Sequence, residues 1–270
     1  MKRILIATLF CIYILNAKAG VSIVNGLSHV HEVGIGEICK GIIEIKNTGS
    51  KAERLKVFVN DFRYNAKGQT FYEEPSTHNR SNADWLKLGT TNIEIQPGQI
   101  YLLPYRMQVP DSLALKGSFW SVIIIEPAED FDLQDQNNAI GITTRMRYAI
   151  QIIADIGNDL QANVKFQNAE INYTEGRKLL MIDLEDTGEL YHKVVVSSEF
   201  FETTSGNTAG VYYSPKQSIH PNNSKRFIID VSELEDGDYL ATLLANCEDE
   251  SFFGVNVSIR IDSSKPNENE

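Results

Sequence analysis

The stretch "AIGITTRMRYAIQIIADI", Ala139 to Ile156, decides the fold. Its even positions read Ile140, Ile142, Thr144, Met146, Tyr148, Ile150, Ile152, Ala154 and Ile156. Its odd positions are mostly small, polar or charged, with Arg145 and Arg147 among them. Period-two alternation is the mark of a strand with one apolar face. The run outlasts the usual strand of about five or six residues. At roughly 3.3 Å per residue it would reach close to 60 Å. An apolar ribbon of that length, next to a polar loop, predicts a sheet edge whose unpaired N–H and C=O groups take up another strand. The competing reading is an interior strand whose arginines merely face solvent.

Outward from this ribbon, strand signals dominate. On its N-terminal side stand "KGIIEIKN" from Lys40, "RLKVFVNDFRY" from Arg54, "IYLLPYRMQVP" from Ile100 and "FWSVIIIEP" from Phe119. They are β-branched or aromatic and are bounded by turn residues such as Asn47-Thr48-Gly49 and Pro97-Gly98. Trp120 alternates with Val122 and Ile124, which predicts burial. Seven more strand segments follow Ile156, and no segment sustains helical periodicity. The halves echo each other: "IEIKNTGSKAERLKVFV" resembles "IDLEDTGELYHKVVVSS", and "IQPGQIYLLPYRM" resembles "IHPNNSKRFIIDV". Two copies of one sandwich plan account for this. The expected fold is therefore all-β, with two Ig-like β-sandwich domains in tandem, at 20–156 and 157–262. The segment "AEDFDLQDQNNAIG" between strands reads as a mobile acidic loop. Residues 263–270 read as a disordered tail.

The first 19 residues read as a secretory signal peptide. Lys2 and Arg3 precede a short apolar run, and Ala17-Lys18-Ala19 is a small-x-small cleavage site. No later segment is long and apolar enough to be expected in a membrane. Cleavage after Ala19 removes three cations and no acid, moving the formal charge from −11 to −14. That acidity argues against nucleic acid and anionic membrane surfaces as partners. Two cysteines remain, Cys39 and Cys247, 208 positions apart, and a bridge between them is not favoured.

Catalytic signatures are missing from the sequence. There is no G-x-S-x-G, H-E-x-x-H, P-loop or dinucleotide fingerprint. His29 and His31 would share one face of a strand, but nothing nominates the third ligand a zinc site needs. The expectation is a protein that is not an enzyme and carries no metal and no cofactor.

A resemblance sharpens this. Ser118, Phe119, Trp120 and Pro127, followed by the acidic loop and then Ile140 and Ile142, resemble the periplasmic chaperones of chaperone–usher pilus assembly. The resemblance implies a periplasmic chaperone that caps a pilin-like or surface-fibre subunit by β-strand donation before assembly. It implies a further encounter with an outer-membrane usher. Ile140, Ile142 and Thr144 would fill the partner's incomplete sheet. Arg145 and Arg147 would fix the register, with Arg147 where the family keeps a basic residue that grips the partner's C-terminal carboxylate. The second cleft residue of the family is an arginine near the N-terminus; here Ser28-His29-Val30 takes its place, with His29 as the nearest match. Other stretches, "KNTGS" and "SNADWLKL" among them, also look like Ig-like modules of cell-wall-associated complexes. A structural adhesion or envelope-binding protein is therefore the alternative.

Overall fold

The computed structural model describes residues 20–112, 114–128, 146–158 and 160–264. The leader, the acidic segment with Ile140, Ile142, Thr144 and Arg145, and the end of the tail lie outside the described residues. Eighteen strands run through the described chain. The first ten are β1 (Val21–Ile23), β2 (Ser28–Val33), β3 (Ile38–Asn47), β4 (Glu53–Tyr64), β5 (Thr70–Glu73), β6 (Leu86–Leu88), β7 (Asn92–Ile95), β8 (Ile100–Gln108), β9 (Gly117–Pro127) and β10 (Tyr148–Ile156). The rest are β11 (Val164–Thr174), β12 (Arg177–Asp186), β13 (His192–Glu202), β14 (Thr208–Tyr213), β15 (Gln217–Ile219), β16 (Ser224–Asp230), β17 (Gly237–Cys247) and β18 (Phe252–Ile261). The one helical piece among the described residues is a single 3-10 turn, Ala83–Trp85.

These strands make two sandwiches. In the first, the sheet β1-β3-β8-β6 packs on the sheet β2-β10-β9-β4-β5, with β7 paired to β4. In the second, β11-β12-β16 packs on β14-β13-β17-β18, with β15 paired to β13. Each pair of sheets encloses its own core. Ile43, Ile45, Leu103, Ile123 and Ile150 meet in one, and Leu180, Val196, Phe200, Phe227 and Leu243 in the other. Burying an aliphatic or phenyl side chain of this kind contributes about 1.5–3 kcal/mol.

The sequence echo corresponds to a repeated piece of architecture. Asn47 closes β3 and Asp186 closes β12, both fully buried. Gly49 N–H donates to Asn47 Oδ1 at 2.8 Å, and Gly188 N–H donates to Asp186 Oδ1 at the same distance. Asn47 N–H donates to Gln99 O and its carbonyl accepts from Gly98; Asp186 N–H donates to Asn223 O and its carbonyl accepts from Asn222. Each Asx side chain thus folds its own turn, while its backbone ties that turn to the connection that crosses between sheets just before β8 or β16.

The deciding stretch behaves differently from its expectation as an edge. Its described strand begins at Tyr148, and over Gln151–Ile156 both flanks are occupied by the same molecule. β9 pairs with it antiparallel along its whole length, and β2 pairs with it parallel from Ser28 opposite Gln151 to Val33 opposite Ile156. The interior alternative therefore holds for this half. The reason lies in the N-terminal segment, which changes sheets. β1 pairs with β3, the chain turns at Gly26 with φ 92°, and β2 continues in the other sheet. The odd face is not solvent-facing either: Ile153 is fully buried among Trp120, Val122, Ile124, Phe62 and Tyr191. A sheet covered on both faces loses its alternation.

Candidate functional site

The flank of β10 opens where β2 begins. Gln151 N–H donates to Leu27 O at 2.8 Å, and no described strand pairs with Tyr148–Ile150 on that side. Leu27 and Val30 are each about half exposed there, as is Met146 just before β10. Ser28 and Gln151, paired across this junction, also line a cleft of about 380 Å³ between the two sandwiches. The open flank and the cleft therefore meet at one pair of residues.

The cleft floor is aromatic because the sandwiches press on each other there. Phe62, Tyr64 and Tyr191 line it, with His220 and Lys225 from the second sandwich. The His220 ring lies 4.6 Å from that of Tyr191 and 4.8 Å from that of Trp120, centroid to centroid. Tyr64 hydroxyl lies 3.1 Å from His220 Nδ1 and accepts His220 N–H at 3.0 Å. Tyr64 N–H donates to Asn223 Oδ1 at 2.9 Å and Ala66 N–H to Ser224 Oγ at 3.0 Å. On the far side, Ser118 Oγ accepts Tyr191 N–H at 2.6 Å and donates to Asp155.

Burial governs the electrostatics. It drives the His220 imidazole down to about 3, helped by the nearby Lys225, His78 and His192. It also lowers the Lys225 ammonium. Lys225 Nζ donates to Ser218 O at 2.9 Å and sits 5.3 Å from the Tyr64 ring centroid. Arg226 forks onto Asp183 at 2.6 and 2.8 Å. The cleft thus presents hydroxyls, amides and the Lys225 and Arg226 side chains beside aromatic walls. Gln151 Oε1 is buried without a partner among the described residues. Such a lining suits the polar end of a chain segment.

Of the residues singled out in sequence, His29 and Arg147 are described, and the structure does not bring them together. His29 points away from the cleft; its Nδ1 lies 3.0 Å from Tyr105 hydroxyl, which His31 Nε2 approaches to 2.8 Å. The phenol lies in the space that Gly41 leaves, where a Cβ would come within 2.1 Å of Tyr105 Cζ. Arg147 lies four residues before Gln151, about 13 Å along the strand. It is spent on Glu126, with Nε–Oε2 at 2.7 Å and Nη2–Oε2 at 2.6 Å. Sequence reasoning missed Ser28, Gln151, Tyr64 and Lys225. The one available signal was the odd-position parity of Gln151, a polar group flanked by isoleucines. No group of three His, Cys, Asp or Glu side chains able to hold a metal occurs among the described residues. Cys39 and Cys247 are free thiols in separate sandwiches.

No protein-family model matches the sequence, and no curated protein matches it. Solved structures do. The chain is similar to the class 5 fimbriae chaperone CfaA at 11% identity and TM-score 0.45, covering 90% of this chain and 99% of that one. It is similar to a chain of the CsuC–CsuE chaperone–tip adhesion subunit complex of Acinetobacter baumannii at 16% identity and TM-score 0.44, covering 89% and 98%. The E. coli chaperone DraB aligns at 8% identity and TM-score 0.43, covering 89% and 98%. At this level of likeness, what the chain binds has to be read from its own geometry.

Proposed function

We propose that this chain is a non-enzymatic periplasmic chaperone that holds a fimbrial or surface-fibre subunit before assembly. Its units are taken as 20–156 and 157–262. The observation that carries the reading is the junction at Ser28 and Gln151, where the described pairing of β10 with β2 ends at the mouth of a cleft, leaving Tyr148–Ile150 without a described strand on that flank. An extended partner segment laid along β10 from Ile150 towards residue 140 would gain main-chain bonds. Ile140 and Ile142 would enter the partner's unfilled core, Thr144 would follow them on the same face, and the partner's terminal residues would reach the cleft. Arg145 and Arg147 would steer the partner's charges, Arg147 by exchanging Glu126 for a partner carboxylate. No nucleotide is required, because the partner's final pairing with the next subunit can drive release; an outer-membrane usher would be the site of that exchange.

The test is recovery of the client. The tagged chain, expressed in its native envelope, should co-purify a subunit identified by mass spectrometry. Ile140→Asp with Ile142→Asp should lose that subunit while its circular dichroism and melting temperature stay unchanged. Undiminished recovery by the folded variant would sink the strand-pairing reading. Recovery of polysaccharide in place of a protein would favour the adhesion alternative.

A further inference from the structure

The sheet β1-β3-β8-β6 turns one face into the core of the first sandwich and the other away from the second sandwich. That outer face carries a pattern that a solvated sheet does not need. Lys40 on β3 stands opposite Arg106 on β8, and Arg106 stands opposite Lys87 on β6. Three cations therefore form one row across three strands, at a strand spacing of about 4.8 Å. Like charges directly opposite one another destabilise a sheet. None of the three is in an ion pair with a described residue; Arg106 donates only to Gln108 Oε1, at 3.1 Å. The next row is apolar, with Ile42 facing Pro104; in the row after it Leu102 faces Glu44, which bounds the apolar patch. Ile42 is 48% and Leu102 55% exposed, on a face where alternation would normally place polar groups. Lys40, Lys87 and Arg106, with Ile42, Leu88 and Pro104, line a groove of about 500 Å³.

We propose that this groove docks an acidic, apolar segment of another protein chain. Its carboxylates would lie on the Lys40–Arg106–Lys87 row and its apolar side chains over Ile42, Pro104 and Leu102. Charge complementarity selects this occupant. The row is about 10 Å long, and alternate residues of an extended segment are about 6.7 Å apart, so two carboxylates at positions i and i+2 fall within it. Each would relieve the repulsion that the free sheet carries. An anionic bilayer is disfavoured, because the chain as a whole has a formal charge of −11 and meets a charged plane with its entire field. A short segment meets only the charges within a Debye length, about 8 Å at physiological salt. The surface is on the sheet opposite to β10 and the cleft, so it stands or falls independently of the chaperone reading.

The probe is a fluorescein-labelled eight-residue peptide of alternating Asp and Leu, titrated into the full chain after leader cleavage. Alternating Asp–Ser and Lys–Leu peptides serve as controls. The Asp–Leu peptide should bind more tightly than both. Its affinity should fall at least about tenfold in Lys40→Gln with Lys87→Gln, and also in about 0.5 M salt. Lys165→Gln, an exposed lysine of the second sandwich, should bind as the wild type does. The double variant should melt at the same or a higher temperature, since it removes like-charge repulsion. Equal binding by wild type and double variant, a lower melting temperature of that variant, or tighter binding to phosphatidylglycerol vesicles than to the peptide would overturn the proposal.

Discussion

Two buried residues pull the response of this protein to acid in opposite directions. His220 is neutral in the fold, its imidazole driven from 6.5 to about 3 by burial, with Lys225 and the His78 and His192 rings adding to the effect. Unfolding frees it to protonate near 6.5, so the unfolded chain takes the proton first. Its contribution is complete above 6.5 and is lost as pH falls from there towards 3. Asp186 is the reverse case. Burial raises its carboxyl from 3.8 to about 7, against a lowering hydrogen bond from Gly188. The folded chain therefore holds a proton that the unfolded chain has already released, and the stability this gives below 3.8 is lost as pH rises through 7. Between 3.8 and 6.5 the two effects oppose each other. Urea unfolding across that range should separate them. The advantage of wild type over His220→Gln should grow with pH by up to about 1.4 kcal/mol per unit, then level off above 6.5. The advantage of wild type over Asp186→Asn should shrink across the same range. Two difference curves of the same slope would refute the opposition.

At the scale of elements, what could be read from sequence depended on whether a signal was local. The Asx-Thr-Gly echo was legible because each Asx bonds the glycine two residues on, within one turn. The alternation of Tyr148–Ile156 was legible as a strand for the same reason. Its neighbour was not, because "SHVHEV" alternates only weakly and its partner lies 123 positions away, Ser28 to Gln151. The decisive residue is Gly26, whose φ of 92° lets the chain leave one sheet for the other. A Cβ there would meet nothing within 4 Å, so the cost of replacing it is purely conformational. Gly26→Ala should destabilise the first sandwich by about 1 kcal/mol, and Gly26→Asn by less, since Asn tolerates positive φ. Hydrogen exchange would report the same event locally, as faster exchange of the Gln151 amide, which is held by Leu27. Equal loss in the Ala and Asn variants would show that Gly26 serves something other than its backbone angle.

The whole molecule depends on how rigidly the two sandwiches hold the cleft between them, and no sequence signal carried that. Tyr64, Tyr191 and His220 read as ordinary strand or turn residues, Ser118 stood out only as part of a family motif, and only folding brings the four to one surface. There Tyr64 does the most, since a single hydroxyl serves both Nδ1 and the backbone N–H of His220. Tyr64→Phe keeps the ring and its packing but leaves two buried polar groups of His220 without that partner. A lost partner for a buried group costs about 1–3 kcal/mol. Other links, among them Tyr64 N–H to Asn223, Ala66 N–H to Ser224, Ser118 N–H to Glu189 and Tyr191 N–H to Ser118, hold the sandwiches in contact, and the prediction is that they couple them less. Calorimetry should therefore show one cooperative transition in the wild type and a split into two in Tyr64→Phe. Small-angle scattering should show a broader distribution of maximum dimensions in the variant. Client recovery should fall too, because a cleft that must be ordered on binding loses the benefit of being formed beforehand. A single transition at the wild-type temperature would mean that the hydroxyl does not couple the sandwiches, and that the contacts at Ser118 and Asn223 suffice to fix the angle between them.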